Sequence, residues 1–245
     1  MGLQEQSGRS AVHESAMRLG LTRFCSLASL FLLCSPALAG PSNPQPEILP
    51  RSAWAVKPAD TALMKQQTPR GIVIHHTGEK RAARQSLQEK LRKLQRFSQA
   101  AGTVGKQPKP PWGDVPYHFY VDAAGRIGEG RSLGFAGDSN TSYDTSNRIQ
   151  IVVEGHFDLE QPAPAQLAAL DRLVLWLAAR YKLAATRVSS HGDHVGNTDC
   201  PGQGLRIYLP TLRAKLAEAM RARAEGRQPS GLFGTKKEAR RNGPP

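Results

Sequence analysis

The sequence predicts a single α/β domain in which helices flank a central mixed β-sheet. Short apolar, β-branched runs alternate along the chain with longer stretches in which apolar residues recur every three or four positions. Apolar residues make up 39% of the 245 residues, which is enough for a core, and the 23 glycines and 18 prolines stay well below the share typical of low-complexity chains. Long helices separated by short strands pack most economically on the faces of one sheet.

The first predicted elements are a strand and an amphipathic helix. Residues 71–74 are apolar and β-branched, and this predicted buried strand ends at His75-His76. Residues 83–101 are predicted to form a helix, because their apolar residues recur at spacings of three and four with lysine and arginine between them. The prolines and glycines of residues 102–116 then exclude a helix or a central strand and predict a loop.

The middle of the chain predicts a hairpin, a strand and a second helix. Residues 117–121 and 126–130 are separated by a four-residue turn sequence and are predicted to pair. Residues 133–147 are rich in glycine, serine, asparagine and aspartate, which predicts a loop. Residues 149–153 form the most strand-like run of the chain, and residues 165–181 carry a leucine-rich stripe at helical spacing.

The last predicted elements are a short strand and a terminal helix. Residues 187–190 form the strand and lead directly into His191. Pro210 is predicted to be the first residue of the last helix, because the first turn of a helix does not use the N–H that proline lacks.

Both ends of the chain are predicted to lie outside the main domain, residues 48–220. Residues 1–39 have the positive start, the apolar run and the small-residue ending of a secretory signal peptide, with Met17 as an alternative start. A membrane span needs ~20 apolar residues, so no transmembrane segment is expected in the mature chain. Residues 40–47 form a proline-rich lead, and residues 221–245 are predicted to be a basic, disordered tail. The protein is therefore expected to be periplasmic or secreted.

The charge balance favours a polyanionic partner. Lysine and arginine total 33 against 20 acidic residues, a formal net charge of +13. Such a balance suits nucleic acid, anionic lipid or an acidic cell-wall polymer. The export signal and the lack of a nucleic-acid-binding motif argue against nucleic acid. The basic tail is therefore interpreted as an aid to binding anionic polymers of the cell envelope.

One cysteine and two histidines form a candidate metal site. Removal of the signal peptide leaves Cys200 alone, and a lone cysteine in an exported protein is a liability, a free thiol or a metal ligand. His75 ends the first strand, His191 ends the last, and the glycine-rich stretch before Cys200 allows the chain to curl back. Two imidazoles and a thiolate suit zinc with an open fourth position, which activates water for hydrolysis of an amide or ester.

Other residues compete for these roles. Strand alternation places His76 on the face opposite His75, so only one of this pair is expected to reach a given ion. His194 competes with His191, and Asp199 competes with Cys200. Sequence spacing alone does not decide within either pair. The alternative interpretation of Cys200 is a buried, inert thiol that binds no metal.

Four motifs occur in a fixed order around these residues. They are IVIHHT at residues 72–77, VPYHF at 115–119, GEGR at 128–131, and His191 followed by TDCPG at 198–202. Together they resemble the type-2 N-acetylmuramoyl-L-alanine amidases, a family that includes the peptidoglycan recognition proteins. Each motif is weak by itself, but the ordered set, which spans about residues 45–220, is specific.

The resemblance implies a zinc ion bound by His75, His191 and Cys200, with Tyr117 and Thr198 assisting proton transfer and the developing oxyanion. It implies a substrate of peptidoglycan or muropeptides, cut between the muramic acid lactyl group and L-alanine. The alternative is a non-catalytic peptidoglycan-binding module on the same fold. Because binders in this family typically lose the cysteine ligand, Cys200 favours catalysis.

The chain departs from the family pattern in several places, two of which concern the surroundings of the predicted site. Residues 102–116 form a longer loop than in compact relatives, and the loop either lines the substrate groove, with Trp112 near the ligand, or serves packing alone. Some relatives have a carboxylate on the strand at residues 149–153. In this chain Val152 is assigned to that place, and the nearest acid is Glu154.

Overall fold

The computed structural model describes residues 44–82 and 84–227. The strands are β1 Ile48–Leu49, β2 Gly71–His76, β3 Gly102–Val104, β4 Gln107–Lys109, β5 Phe119–Val121, β6 Ile127–Glu129, β7 Arg148–Val153 and β8 Val188–Ser190. The α-helices are α1 Leu87–Gln99, α2 Pro164–Tyr181 and α3 Gln203–Ala224, and single 3-10 turns lie at Arg51–Ala53, Thr61–Leu63, Ala185–Arg187 and His191–Asp193. The predicted signal peptide and the tail beyond residue 227 lie outside the described residues.

Six of the strands form one mixed sheet in the order β1-β6-β5-β7-β2-β8. The β5–β6 hairpin is antiparallel, and the other neighbours in this sheet are parallel. Parallel neighbours need long crossovers, which α1 and α2 provide. The predicted α/β class with a central mixed sheet flanked by helices is confirmed.

Helices cover both faces of the sheet. The larger core packs α2 and α3 against one face, with Ile72 and Ile74 of β2 and Ile151 of β7 fully buried. The smaller core packs α1 against the other face, where Leu91 of α1 and Val152 of β7 belong to the same buried cluster. The strands therefore divide their side chains between two cores, as buried parallel strands do.

The first helix is shorter than the sequence predicts. It begins after Ser86, whose hydroxyl accepts the amide hydrogen bond of Glu89 while the Glu89 carboxylate accepts that of Ser86, a capping box that fixes the start of the helix. Beyond its end, part of the predicted loop at residues 102–116 forms a separate antiparallel hairpin of β3 and β4. As predicted, this segment contributes no strand to the central sheet. The hairpin itself differs from the predicted loop.

The prediction that Pro210 begins the last helix is wrong. α3 starts seven residues earlier and contains Pro210 in its interior. Leu205 and Leu209, before the proline, continue the buried stripe of Leu212 and Leu216. Burying two leucines stabilises by roughly 1.5–3 kcal/mol each, which offsets the roughly 3 kcal/mol that an interior proline costs.

The last helix also extends into the predicted tail. α3 ends at Ala224, and Ala222 is buried, so the first residues of the segment 221–245 belong to the folded domain. Across residues 44–82 and 84–227, no helix has both the length and the apolar character needed to cross a membrane.

Candidate metal centre and groove

The end of β2 directs His75 away from the larger core. Ile72 and Ile74 face α2 and α3, so strand alternation turns His75 to the side of the sheet that α1 covers. There it lies in register with Val152, a member of the smaller core. His76 turns back to the opposite face, so the predicted division of the histidine pair is confirmed.

The end of β8 brings His191 beside His75. Ser190 is the last residue of β8, in register with Ile74 of β2, and His191 opens the 3-10 turn that follows. The chain then curls back, because the Gly192 amide donates a hydrogen bond of 2.9 Å to the carbonyl oxygen of Cys200. This bond closes the loop and places the thiol next to both histidines.

His75, His191 and Cys200 form one compact cluster. One ligand atom from each of the three residues lies within 4.8 Å of the others. The Cys200 Sγ atom lies 3.6 Å from Nδ1 of His75, and the two imidazole rings have centroids 4.9 Å apart. This is the only such group of histidine, cysteine or acidic ligands in the described part of the chain.

The competing residues lie outside this cluster. The His194 Nε2 atom forms a 2.8 Å hydrogen bond with the Ser189 hydroxyl, and its ring stacks on Tyr143. Asp199 is exposed, and its carbonyl oxygen accepts the amide hydrogen bond of Gly202.

Polar partners hold the far nitrogen of each imidazole. The Nε2 atom of His75 is 2.6 Å from Oε1 of Gln150, and Nε2 of His191 is 2.8 Å from the Thr141 hydroxyl. The Tyr143 hydroxyl donates to the same Gln150 oxygen at 2.9 Å. Both Nδ1 atoms therefore remain for an ion, in the arrangement by which metal-binding histidines are usually oriented.

Sequence reasoning missed these three partners. Gln150 is a buried polar residue within the apolar run at residues 149–153 of β7, which is a detectable signal. Thr141 and Tyr143 lie in the loop at residues 133–147, where no periodicity distinguishes them from their neighbours.

Burial alone favours the neutral forms of the two imidazoles and the thiol. Burial, followed by the charge of His191, lowers the pKa of His75 to about 3, and burial lowers the pKa of His191 to about 4. Burial also raises the pKa of the Cys200 thiol to about 12. A divalent cation would reverse this last effect, because it stabilises the thiolate. Two neutral imidazoles with Nδ1 available and one soft sulfur atom are a donor set that fits zinc.

Tyr117 and Thr198 both border the cluster. The Tyr117 ring lies beside His75, with centroids 5.2 Å apart, and burial raises the pKa of its hydroxyl well above the ordinary value. The Thr198 Oγ1 atom accepts a 3.3 Å hydrogen bond from the Cys200 amide. The structure thus brings both predicted residues to the same cavity as the three candidate ligands.

This cavity is a groove of about 580 Å³ that runs from the cluster along α1. Its far wall is the β3–β4 hairpin, and Trp112 also lines it. Residues of the segment 102–116 therefore line the cavity, which agrees with the first of the two alternatives that the sequence leaves open. Glu154 lies in the same groove but forms an ion pair with Lys90 and is not a member of the cluster.

A buried lysine fastens the hairpin to the end of α1. The Lys109 ammonium donates hydrogen bonds to the carbonyl oxygens of Ser98 at 3.0 Å, Ala100 at 2.6 Å and Pro110 at 2.9 Å. It also lies 4.6 Å from the centre of the Trp112 ring, a cation–π contact. The Ser98 carbonyl, in the last turn of α1, thereby gains a partner that the helix itself does not supply.

Comparisons with known sequences identify one family. A family model described as N-acetylmuramoyl-L-alanine amidase matches residues 65–203. Peptidoglycan recognition protein 1 of Mus musculus is 29% identical over 178 residues, which cover 72% of this chain and 93% of that protein. Peptidoglycan-recognition protein SD of Drosophila simulans is 27% identical over 174 residues, which cover 66% and 83%.

Solved structures share the fold. The N-acetylmuramoyl-L-alanine amidase LysC from Clostridium intestinale URNW aligns with a TM-score of 0.54 at 23% identity, over 70% of this chain and 98% of that one. Drosophila PGRP-LB aligns with a TM-score of 0.54 at 21% identity, over 66% and 92%. The architecture is therefore common to proteins named as amidases and proteins named for peptidoglycan recognition.

Proposed function

The chain belongs to the N-acetylmuramoyl-L-alanine amidase family, and from this premise we propose that it is a zinc-dependent hydrolase of peptidoglycan. The bond cut is the amide between N-acetylmuramic acid and L-alanine. The observation that carries the proposal is the cluster of His75, His191 and Cys200, whose ligand atoms lie within 4.8 Å of one another. Zinc, when bound there, supplies the Lewis acidity that activates a water molecule and polarises an amide carbonyl.

The surrounding residues fit the roles that such a hydrolase needs. Gln150 and Thr141 hold the two imidazoles by their Nε2 atoms and keep the Nδ1 atoms in place. The Tyr117 hydroxyl stays protonated because burial raises its pKa, so it donates a hydrogen bond to the carbonyl oxygen as negative charge develops there.

Thr198 assists from the loop that carries Cys200. Its oxygen already accepts the Cys200 amide hydrogen bond, which orients the side chain and leaves the hydroxyl proton for the leaving amine or the oxyanion. The amine of L-alanine then departs along the groove beside α1.

The second candidate is a non-catalytic peptidoglycan-binding module. Relatives named as peptidoglycan recognition proteins favour it. The intact two-histidine, one-cysteine cluster favours hydrolysis, because a pure binding groove needs no such donor set.

With a signal peptide predicted at residues 1–39, we place the activity in the periplasm or outside the cell.

Mass spectrometry of muropeptides tests the proposal directly. Purified sacculi and soluble muropeptides are incubated with the full chain, once with zinc and once with chelator. We expect free stem peptides that begin with L-alanine, released only in the zinc sample. Unchanged muropeptides in both samples, together with sedimentation of the protein with the sacculi, would establish the binding module instead.

A further inference from the structure

The motif GEGR at residues 128–131 ends in a buried arginine that is not a member of the metal cluster. Arg131 follows β6 directly and is only 1% exposed. Burying a charge costs free energy unless the charge is paired and hydrogen-bonded. The partners of this guanidinium group therefore indicate what the residue does.

One part of the guanidinium group holds the segment that leads to Tyr117. The Nε atom donates a 2.8 Å hydrogen bond to the carbonyl oxygen of Val115, and Nη2 donates one of 2.9 Å to that of Asp114. The Arg131 amide donates to the carbonyl oxygen of Tyr117 at 2.9 Å, which extends the pairing of the β5–β6 hairpin to that residue. Because residues 114–117 lie between β4 and β5 in irregular backbone, these bonds fix a segment that no helix or strand fixes.

The other part of the guanidinium group holds a second segment. The Nη1 atom donates a hydrogen bond to the carbonyl oxygen of Ala136, and Nη2 forms an ion pair with the carboxylate of Asp138. The ion pair compensates the buried charge. Arg131 therefore joins residues 114–117 to residues 136–138.

The two joined segments also touch directly, and both lead to the metal cluster. A Cβ atom at Gly137 would lie 2.5 Å from the carbonyl oxygen of Pro116, so the two backbones are in close contact there. The first segment ends at Tyr117. The second continues to Thr141, whose hydroxyl contacts Nε2 of His191 at 2.8 Å. The arginine thus connects the backbone of the predicted proton donor to the backbone that holds a candidate ligand.

The chemistry of arginine suits this task. A guanidinium group presents five N–H donors in a rigid, planar fork, whereas the ammonium group of lysine is a single point of charge. Only the fork can serve carbonyl groups of two segments at once. Arg131 lies behind the wall of the cavity, whereas Tyr117 lines it, so the arginine acts on the site through the backbone alone.

We propose that Arg131 is a positioning residue, which holds the Tyr117 hydroxyl at its place beside the metal cluster. The role rests on the proposed function, because it assumes that this hydroxyl donates to an oxyanion near the cluster. A displacement of about 1 Å at a reacting group can cost about a hundredfold in rate, so the brace matters although it touches no substrate.

Calorimetry with acetohydroxamate tests this role independently of hydrolysis. The hydroxamate anion binds metal ions through its two oxygen atoms and accepts a hydrogen bond from a neighbouring hydroxyl group. The proteins are the zinc-loaded full chain, Arg131→Lys, Tyr117→Phe and the double variant. The matched control is Arg126→Lys, which changes an exposed arginine on the turn of the same hairpin, where it pairs with Asp122.

We expect Tyr117→Phe to weaken acetohydroxamate binding about tenfold, the size of one charge-assisted hydrogen bond. Arg131→Lys should weaken it roughly three- to tenfold, and Arg126→Lys should bind like the unsubstituted protein. The double variant should bind like Tyr117→Phe alone, because the arginine acts only through the missing hydroxyl. A merely structural arginine would add a loss of its own.

Three outcomes would overturn the positioning role. They are additive losses in the double variant, an unchanged affinity in Arg131→Lys, and no measurable binding of acetohydroxamate by the unsubstituted zinc-loaded protein.

A second variant keeps the test decisive if Arg131→Lys does not fold. In Gly130→Ala the added Cβ atom would clash with the carbonyl oxygen of Tyr117, so it displaces the same residue by another route. The matched control is Gly134→Ala, where the nearest atom, Oγ of Ser132, lies 3.8 Å from the added Cβ atom. Gly130→Ala should weaken binding several-fold relative to this control. Equal affinities of the two variants would contradict the proposal.

Muropeptide hydrolysis measured in parallel separates the positioning role from the proposed function. In an active enzyme, Arg131→Lys should lower kcat and leave KM nearly unchanged. Non-additive acetohydroxamate binding without hydrolysis would refute the enzyme and keep the positioning role. Hydrolysis with additive losses would do the reverse.

Discussion

The Nε2 atom of His75 lies 2.6 Å from the Oε1 atom of Gln150, on the side of the imidazole away from Cys200. Because a carbonyl oxygen only accepts, this contact places the proton of the neutral imidazole on Nε2. The lone pair on Nδ1 then faces the Cys200 sulfur atom, 3.6 Å away. Gln150 thus sets which nitrogen of His75 is offered to an ion.

The first prediction concerns this contact. Gln150→Leu should weaken zinc affinity about 10–100-fold, the usual effect of losing such a partner. Competition with a chromophoric chelator measures the affinity. The matched control is Gln166→Leu, which removes another fully buried glutamine, on α2, whose amide donates to the Glu154 carbonyl oxygen. An equal loss of zinc affinity in both variants would show a general effect of destabilisation and would contradict the prediction.

The second prediction concerns the thiol. Cys200→Ser should bind zinc at least about a hundredfold more weakly and reduce hydrolysis to background, because a hydroxyl is a poor ligand beside a thiolate. Binding to insoluble peptidoglycan should persist, since the groove along α1 is built from other residues. Elemental analysis, muropeptide digestion and sedimentation are the measurements. Wild-type turnover with metal still bound would make Asp199 the candidate ligand.

The third prediction concerns Tyr117. Tyr117→Phe should lower kcat about 10²–10³-fold, as the loss of one oxyanion donor does. Zinc content and KM should change little, because the ring still packs beside His75. Steady-state kinetics on a soluble muropeptide measures both constants. If KM rises and kcat stays constant, Tyr117 only binds the substrate.

The fourth prediction concerns stability in acid. Burial lowers the pKa of His118 to about 4, against about 6.5 in an unfolded chain. Between these values the unfolded chain binds a proton that the folded chain does not. The free energy of unfolding should therefore fall as pH falls from about 6.5 to about 4, by about 3 kcal/mol from this residue.

Urea unfolding at pH 7 and pH 4.5 measures this effect. His118→Asn should show a smaller loss between the two pH values than the unsubstituted protein, even if it is less stable at pH 7. His156→Asn, at a partly exposed histidine, is the control and should retain the full loss. An identical pH dependence in His118→Asn would assign the acid sensitivity to other groups.

The sequence predicts the two histidines and the cysteine better than what surrounds them. His75 lies at the end of β2 and His191 directly follows β8, and strand alternation correctly places His75 and His76 on opposite faces of the sheet. Thr141 comes from a loop without a repeating pattern, so only the folded chain reveals its contact with His191.

The error at Pro210 has a different origin. The preference of proline for the first turn of a helix is a local rule, whereas Leu205 and Leu209 continue the buried apolar stripe on the N-terminal side of Pro210. Tertiary burial outweighed a local preference, as it often does for helices.

The contacts of Lys109 bear on how rigidly the wall of the groove is held. Its ammonium joins the last turn of α1 to the hairpin in a place that is 2% exposed, so water competes little for these bonds. The hairpin is therefore tethered to the end of the helix through bonds that must break before the two can separate. This tether favours a groove whose width between α1 and the hairpin changes little.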